Sequence, residues 1–249
     1  MKTESTNYRG HQFPPEIISH GVWLYHRFCL SFRDVEELLA KRGITVTYET
    51  VRQWCRKFGP EYARKLRHRQ GRPGDIWYLD EVFVKIRGER HYLWRAVDQD
   101  GDVIEILVQR KRNARAAKRF FRKLLKSQGS VPWQLVTDKL KSYGSAHRSI
   151  MPSVDHNTER YANNLAEVSH QPTRQRERQM RRFKSAGQAQ QFLSVHGVIL
   201  NFFRFSRHRM RSEHYRWLRD RAFKDWNAAT AAQTNLMGSC YGFAPPTSS

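Results

Sequence analysis

At Ile76 the hydrophobic period of this chain changes. Before it, residues 15 to 58 carry apolar side chains at helical spacing, whereas IWYLDEVFVKI, residues 76 to 86, alternates and is rich in aromatic and β-branched residues. Helical segments followed by a period-two strand predict a helical N-terminal region joined to a sheet. RGER then predicts a turn, HYLWRAVD a second strand, QDGD another turn and VIEILVQR a third strand, which together make an antiparallel meander. NARAAKRFFRKLLKSQ has helical spacing, with Ala116, Phe120, Phe121, Leu124 and Leu125 available for one buried face. WQLVTD is a short apolar strand ending on Asp138. A helix, a short strand around Val154 and a long helical C-terminal region complete the order βββαβαβα.

The N-terminal region divides further. Residues 1 to 12 read as a polar arm, and IISHGVWLYHRF as a first helix. SFRDVEELLAKRG follows, with Ser31 as N-cap, Asp34 at the capping-box position and Gly43 as the stop. In ITVTYETVRQWCRKF, Thr47 is the candidate N-cap and Val51, Trp54 and Phe58 share a face. Helix, short turn with glycine, helix is the helix-turn-helix pattern, and an ordinary three-helix bundle is its alternative. The outward face of the third helix carries Thr50, Arg52, Gln53 and Arg56, which can reach base edges or phosphates. Residues 59 to 75, with Pro, Gly and a burst of basic side chains, read as a phosphate-touching linker.

Charge points to the partner. The formal net charge is +22, and such an excess repels itself unless a polyanion offsets it. Nucleic acid is the expected partner, with a ribosome-like structural role or a merely solvated basic surface as the plainer alternatives. The three cysteines, Cys29, Cys55 and Cys240, form no C-x-x-C pair and no zinc-finger pattern. Cys29 and Cys55 are expected as buried thiols in a reducing compartment. The polar start and the lack of a long apolar run lead us to expect an intracellular protein that neither carries a signal peptide nor spans a membrane.

The carboxylates carry the chemistry. Asp80 lies within the most apolar strand, on the face of Tyr78 and Val82, where an ionised group is costly unless paired or metal-bound. Asp138 ends a strand that a right-handed crossover can set parallel to the first. Two such aspartates would repel each other, and a divalent cation removes the conflict. Oxygen-only ligands select Mg²⁺ or Mn²⁺ over zinc. For Asp138 a helix cap ahead of Lys139 is an equal reading. Glu81 should point to the opposite face and is expected to be exposed. Asp98, Asp100 and Asp102 fall in a turn and need no functional account. Glu167 follows Asn163 and Asn164 in the first turn of a helix, where the dipole alone would favour an acid.

WYLDE around Asp80, RG…YLWRAVD, VTDK…Y around Asp138 and NNxxExSH around Glu167 together resemble the DDE transposases of bacterial insertion sequences. The similarity is greatest to insertion-sequence family six, which moves by forming cointegrates, and SFRDVEELLAKRGI is similar to that family's helix-turn-helix. The resemblance spans about residues 13 to 210. It implies an α/β, RNase H-like catalytic core, a mixed five-stranded sheet with helices, preceded by a small all-α helix-turn-helix domain. The implied organisation is a flexible arm (1–12), the helix-turn-helix (13–58), a basic linker (59–75), the catalytic domain (76–210) and a helical extension with a flexible tail (211–249).

The implied metal-binding triad is Asp80, Asp138 and Glu167, holding two Mg²⁺ ions for which Mn²⁺ can substitute. The family's basic residue seven positions after the glutamate is Arg174 here. Lys139, Arg174, Arg176, Arg178, Arg181 and Arg182 are expected along the DNA backbone, and Pro172 is expected to break the helix behind Glu167. His170 reads as a surface or packing residue ahead of a phosphate or nucleophile contact. The implied activity is binding of terminal inverted repeats, 3′-end cleavage and joining to target DNA. It would be carried out by a homodimer or higher homo-oligomer on double-stranded DNA of transposon ends and target, in the nucleoid of the bacterial cytoplasm. A helix-turn-helix regulator without catalysis and an RNase H-like structure-selective nuclease are the alternatives.

Overall fold

The computed structural model describes residues 6–159, 162–179, 183–205 and 210–231. Three helices come first: α1 (Pro15–Arg27), α2 (Phe32–Ala40) and α3 (Tyr48–Arg67). Ser31 accepts from the Asp34 N–H while the Asp34 carboxylate accepts from the Ser31 N–H, so α2 starts on the reciprocal cap its sequence encodes. Gly43 turns the chain out of α2 with φ of +75°, a left-handed conformation that glycine adopts without a Cβ clash. Thr47 caps α3 by accepting from the Thr50 N–H.

α3 runs on through Gly59 and Pro60 to Arg67, into the segment expected as linker. Phe58, Tyr62 and Leu66 continue one buried stripe at four-residue spacing, and that burial outweighs the two breakers. Proline lacks the N–H that would have bonded the carbonyl four residues earlier. That carbonyl, on Arg56, accepts instead from Gln191 Nε2 at 2.9 Å.

The sheet has the order β3-β2-β1-β4-β5. β1 (Ile76–Ile86), β2 (Glu89–Asp98) and β3 (Val103–Gln109) form the antiparallel meander. β4 (Gln134–Thr137) joins β1 in parallel, and β5 (Asp155–Asn157) joins β4 in parallel. The crossover from the meander to β4 passes through α4 (Ala114–Gln128), which is capped by Asn113 and ended by Gly129. This mixed five-stranded sheet with flanking helices, preceded by N-terminal helices, is the RNase H-like arrangement the sequence led us to expect.

One face of the sheet packs on α4 and α5 (Lys141–Ile150), around Trp77, Leu79, Trp94, Phe120, Phe121 and Tyr143. The other shares a core with α1–α3, α8 (Ala186–Phe202) and α9 (Ser212–Thr230), including Trp54, Phe58, Leu93, Ile106, Phe192 and Trp226. The C-terminal helices therefore close over the N-terminal ones. β3, at the sheet edge, offers unpaired backbone groups that invite association. The Gln190 and Asn201 side chains of α8 satisfy it through Ile106, Val108 and Val103. Cys55 is buried as expected, Cys29 only half so, and Cys240 lies outside the described residues. Among the described residues no helix is long and apolar enough to cross a membrane.

Candidate active site

Leu79 pairs with Thr137 at the last parallel step between β1 and β4, so Asp80 and Asp138 are the next residues on two adjacent strands. β4 stops there, which leaves that flank of β1 open beyond Leu79. Side chains from both faces of β1 converge in the gap. One oxygen each from Asp80, Glu81 and Asp138 lie within 4.8 Å of one another.

Glu81 was expected to be exposed. Alternation does send it to the face opposite Asp80, but α4 and α5 cover that face, and its side chain is 1% exposed. Burial is the main cause that raises its pKa to about 7, the Tyr143 hydroxyl favours its charged form, and Asp138 and Asp80 add to the rise. Arg112, in the loop between β3 and α4, places Nε and Nη2 each 2.5 Å from Glu81 Oε1. Its Nη2 also stands 3.8 Å from Asp138 Oδ2. Asp138 does not cap a helix at Lys139. α5 starts two residues later, and Asp138 Oδ1 accepts from the Leu140 N–H at 3.0 Å.

Asp80 is held from two sides. Arg95, opposite it on β2 and 3% exposed, has its pKa pushed down to about 10 by burial, with the Asp80 charge opposing that fall. His170 Nε2 lies 3.2 Å from Asp80 Oδ2. His170 is buried, which fits the packing half of its expected surface-or-packing role, and burial lowers its pKa, so the neutral imidazole is favoured.

Two short helices bring His170 there. α6 (Asn164–Ser169) carries Glu167, and α7 (Gln171–Gln179) carries the basic run. The helical path breaks at His170, and Pro172 falls in the first turn of α7, where its missing N–H is not needed. α6 is pinned at both ends. Asn163 Nδ2 donates to the Leu79 carbonyl at 2.8 Å, next to Asp80, and Arg95 Nη1 donates to the Ser169 carbonyl. Glu167 is exposed on α6 and stands outside the group of three clustered carboxylates.

The basic residues divide. Lys139, Arg174 and Arg178 are exposed. Arg176, expected on DNA, is instead fully buried. Its guanidinium donates to the Tyr25 carbonyl at 2.9 Å and the Leu30 carbonyl at 2.6 Å, and it lies over the Tyr25 and Phe192 rings. Tyr25 is in the last turn of α1, whose end carbonyls lack helical partners. Arg176 thus ties the glutamate-bearing helices to the N-terminal bundle. Changing it to Ala should cost roughly 2–4 kcal/mol in denaturant unfolding, because one buried and one part-buried carbonyl lose a charged donor. A loss under about 0.5 kcal/mol would contradict that role. Arg181 and Arg182 lie outside the described residues.

On α3, Gln53 and Arg56 are exposed and Thr50 half-buried. Arg52 is gripped by Glu49 through Nε at 2.8 Å and Nη2 at 2.5 Å. Sequence reasoning missed Arg95 and Arg112 as neighbours of the carboxylates and gave His170 a contact at the site only as its second reading. Arg95 carried the same signal as Asp80, a charge inside an apolar strand. Arg112 carried none, since a basic loop residue looks the same wherever it points.

Residues 74–206 match a family described as a DDE domain, DDE_Tnp_IS240. The transposase for insertion sequence-like element IS431mec of Staphylococcus aureus is 31% identical over 168 residues, which are 66% of this chain and 75% of that protein. The transposase for insertion sequence element IS257 in transposon Tn4003, from the same species, matches at the same identity and coverage. Among solved structures, the HTLV-2 integrase catalytic core domain in complex with magnesium (trimeric form) is similar with a TM-score of 0.40 and 14% identity, over 54% of this chain and 88% of that one. With its DDE domain built on the Asp80 strand and relatives that match most of its length, the chain belongs to the DDE transposases of insertion sequences, of the IS431 and IS257 type in family six.

Proposed function

We propose that this transposase binds the terminal inverted repeats of its own element through α1–α3. At the Asp80–Asp138 cluster it would cut the 3′ ends and join them to target DNA, in replicative, cointegrate-forming transposition. The observation that carries the catalytic half is the pair of aspartates on adjacent strands, Asp80 within β1 and Asp138 just past the end of β4, beside a helix pinned to the same strand by Asn163 and His170. The residues fit a hard divalent cation, since the clustered donors are carboxylate oxygens alone. Asp80 and Asp138 would hold Mg²⁺, or Mn²⁺ in its place, with Glu167 brought in from α6 as the third carboxylate. Two such ions, when bound, would activate a water or a DNA 3′-hydroxyl and stabilise the charge on the leaving oxygen.

The chain's own residues orient this chemistry. His170 orients the Asp80 carboxylate, Arg95 adds positive charge beside it, and the Leu140 N–H fixes one oxygen of Asp138. Lys139, Arg174 and Arg178 would hold the DNA backbone without reading sequence. Gathering two element ends calls for a homodimer or larger homo-oligomer, acting on double-stranded DNA in the bacterial cytoplasm. Incubation with element-end DNA, target DNA and Mg²⁺ tests the proposal. Joined product is expected. Binding without cleavage would point to a regulator, and cleavage without joining to a nuclease.

For recognition, Gln53 and Arg56 are the exposed side chains on α3 suited to base edges, while Arg52 is held by Glu49. Gln53→Ala or Arg56→Ala should narrow the preference for element ends over random DNA by about 1–3 kcal/mol per lost base contact. Competition binding at fixed salt measures it. Equal weakening on both DNAs would mean that these residues touch only phosphate.

A further inference from the structure

We propose that Arg112 is a built-in counter-cation of the carboxylate cluster, which divalent metal must displace and which then becomes available to a DNA phosphate. The proposal rests on the metal-site reading above. Asp80, Glu81 and Asp138 bring three carboxylates within 4.8 Å, and like charges at that spacing need a positive partner. Of the nearby basic groups, Arg95 is buried and donates to the Ser169 carbonyl, and His170 Nε2 meets Asp80 at 3.2 Å. Arg112 alone among these spans two members of the cluster, at 2.5 Å from Glu81 and 3.8 Å from Asp138.

Its grip on Glu81 is one-sided. Both Arg112 nitrogens meet Oε1, while Glu81 Oε2 is buried away from the guanidinium. One Glu81 oxygen lies within 4.8 Å of an oxygen each of Asp80 and Asp138, so Glu81 can add an oxygen to an incoming cation. Arg112 is also placed to leave. It sits in the irregular segment between β3 and α4, beside Arg110 and Lys111, and its side chain is 41% exposed. A guanidinium released there carries a fork suited to phosphate, next to the carboxylates where the scissile strand would lie.

Mn²⁺ titration of the full-length protein without DNA, followed by electron paramagnetic resonance of the free ion, reads the competition directly. Arg112→Gln should bind Mn²⁺ about tenfold more tightly than wild type, because the competing charge is gone. Arg112→Lys, which keeps a cation there, should stay nearer wild type. At saturating Mn²⁺, Arg112→Gln should still join strands less efficiently, with a raised KM for element-end DNA. Unchanged or weaker Mn²⁺ affinity in Arg112→Gln, with wild-type binding intact, would overturn this proposal alone. Absence of Mn²⁺ binding in both proteins would overturn the metal site and this proposal with it.

Discussion

Asp80→Asn and Asp138→Asn proteins are expected to bind element-end DNA almost as wild type does and to lose cleavage and joining by on the order of 10³-fold or more. The two carboxylates meet where β4 ends against the middle of β1, and neither lies on the α3 face proposed to read DNA. Asparagine keeps the size of each side chain, so the packing around His170 and the Leu140 N–H should survive while the charge proposed to hold metal is lost. Gel-shift and strand-transfer assays on the same preparations separate the two effects. Loss of end binding with intact joining of a pre-cut substrate would contradict the assignment.

Much of this architecture could be read from the sequence because its signals were local. The capping box at Ser31, the Thr47 cap and the alternation of residues 76 to 86 all appear where the residues place them. The parallel pairing of β1 with β4 followed from a crossover rule and from two aspartates that made sense only together. What was missed depended on partners distant in sequence. Pro60 reads as a breaker until Gln191, 131 positions later, satisfies the carbonyl it leaves open. Arg176 looked like one more basic residue in a basic run, yet α1 ends where its guanidinium can reach two carbonyls. Glu81 faces the side that alternation assigns, and only the packing of α4 and α5 shows that this side is buried.

The same packing sharpens the question of the third carboxylate. Glu81 sits within the cluster, whereas Glu167 is exposed on a helix fastened beside it. We propose Glu167 for the third metal position, because α6 is pinned to β1 at Asn163 and meets Asp80 through His170, one turn beyond the glutamate. A ligand must keep both charge and reach, so Glu167→Gln should fail almost as fully as Glu167→Ala, and Glu167→Asp should fail by withdrawing its oxygens. An acid serving only the helix dipole would tolerate Asp and lose no more than about 1 kcal/mol on becoming Gln. Glu159, exposed nearby in sequence, and Glu177, whose side chain lies outside the described ones, serve as controls. The most direct measurement is Mg²⁺-dependent strand transfer of element-end DNA by folded, DNA-binding Glu167→Gln protein, run beside Glu159→Gln and Glu177→Gln. No joined product from the first and ordinary product from the other two is the predicted result; product at the wild-type rate from Glu167→Gln would contradict the triad and leave Glu81 as the carboxylate that completes the site.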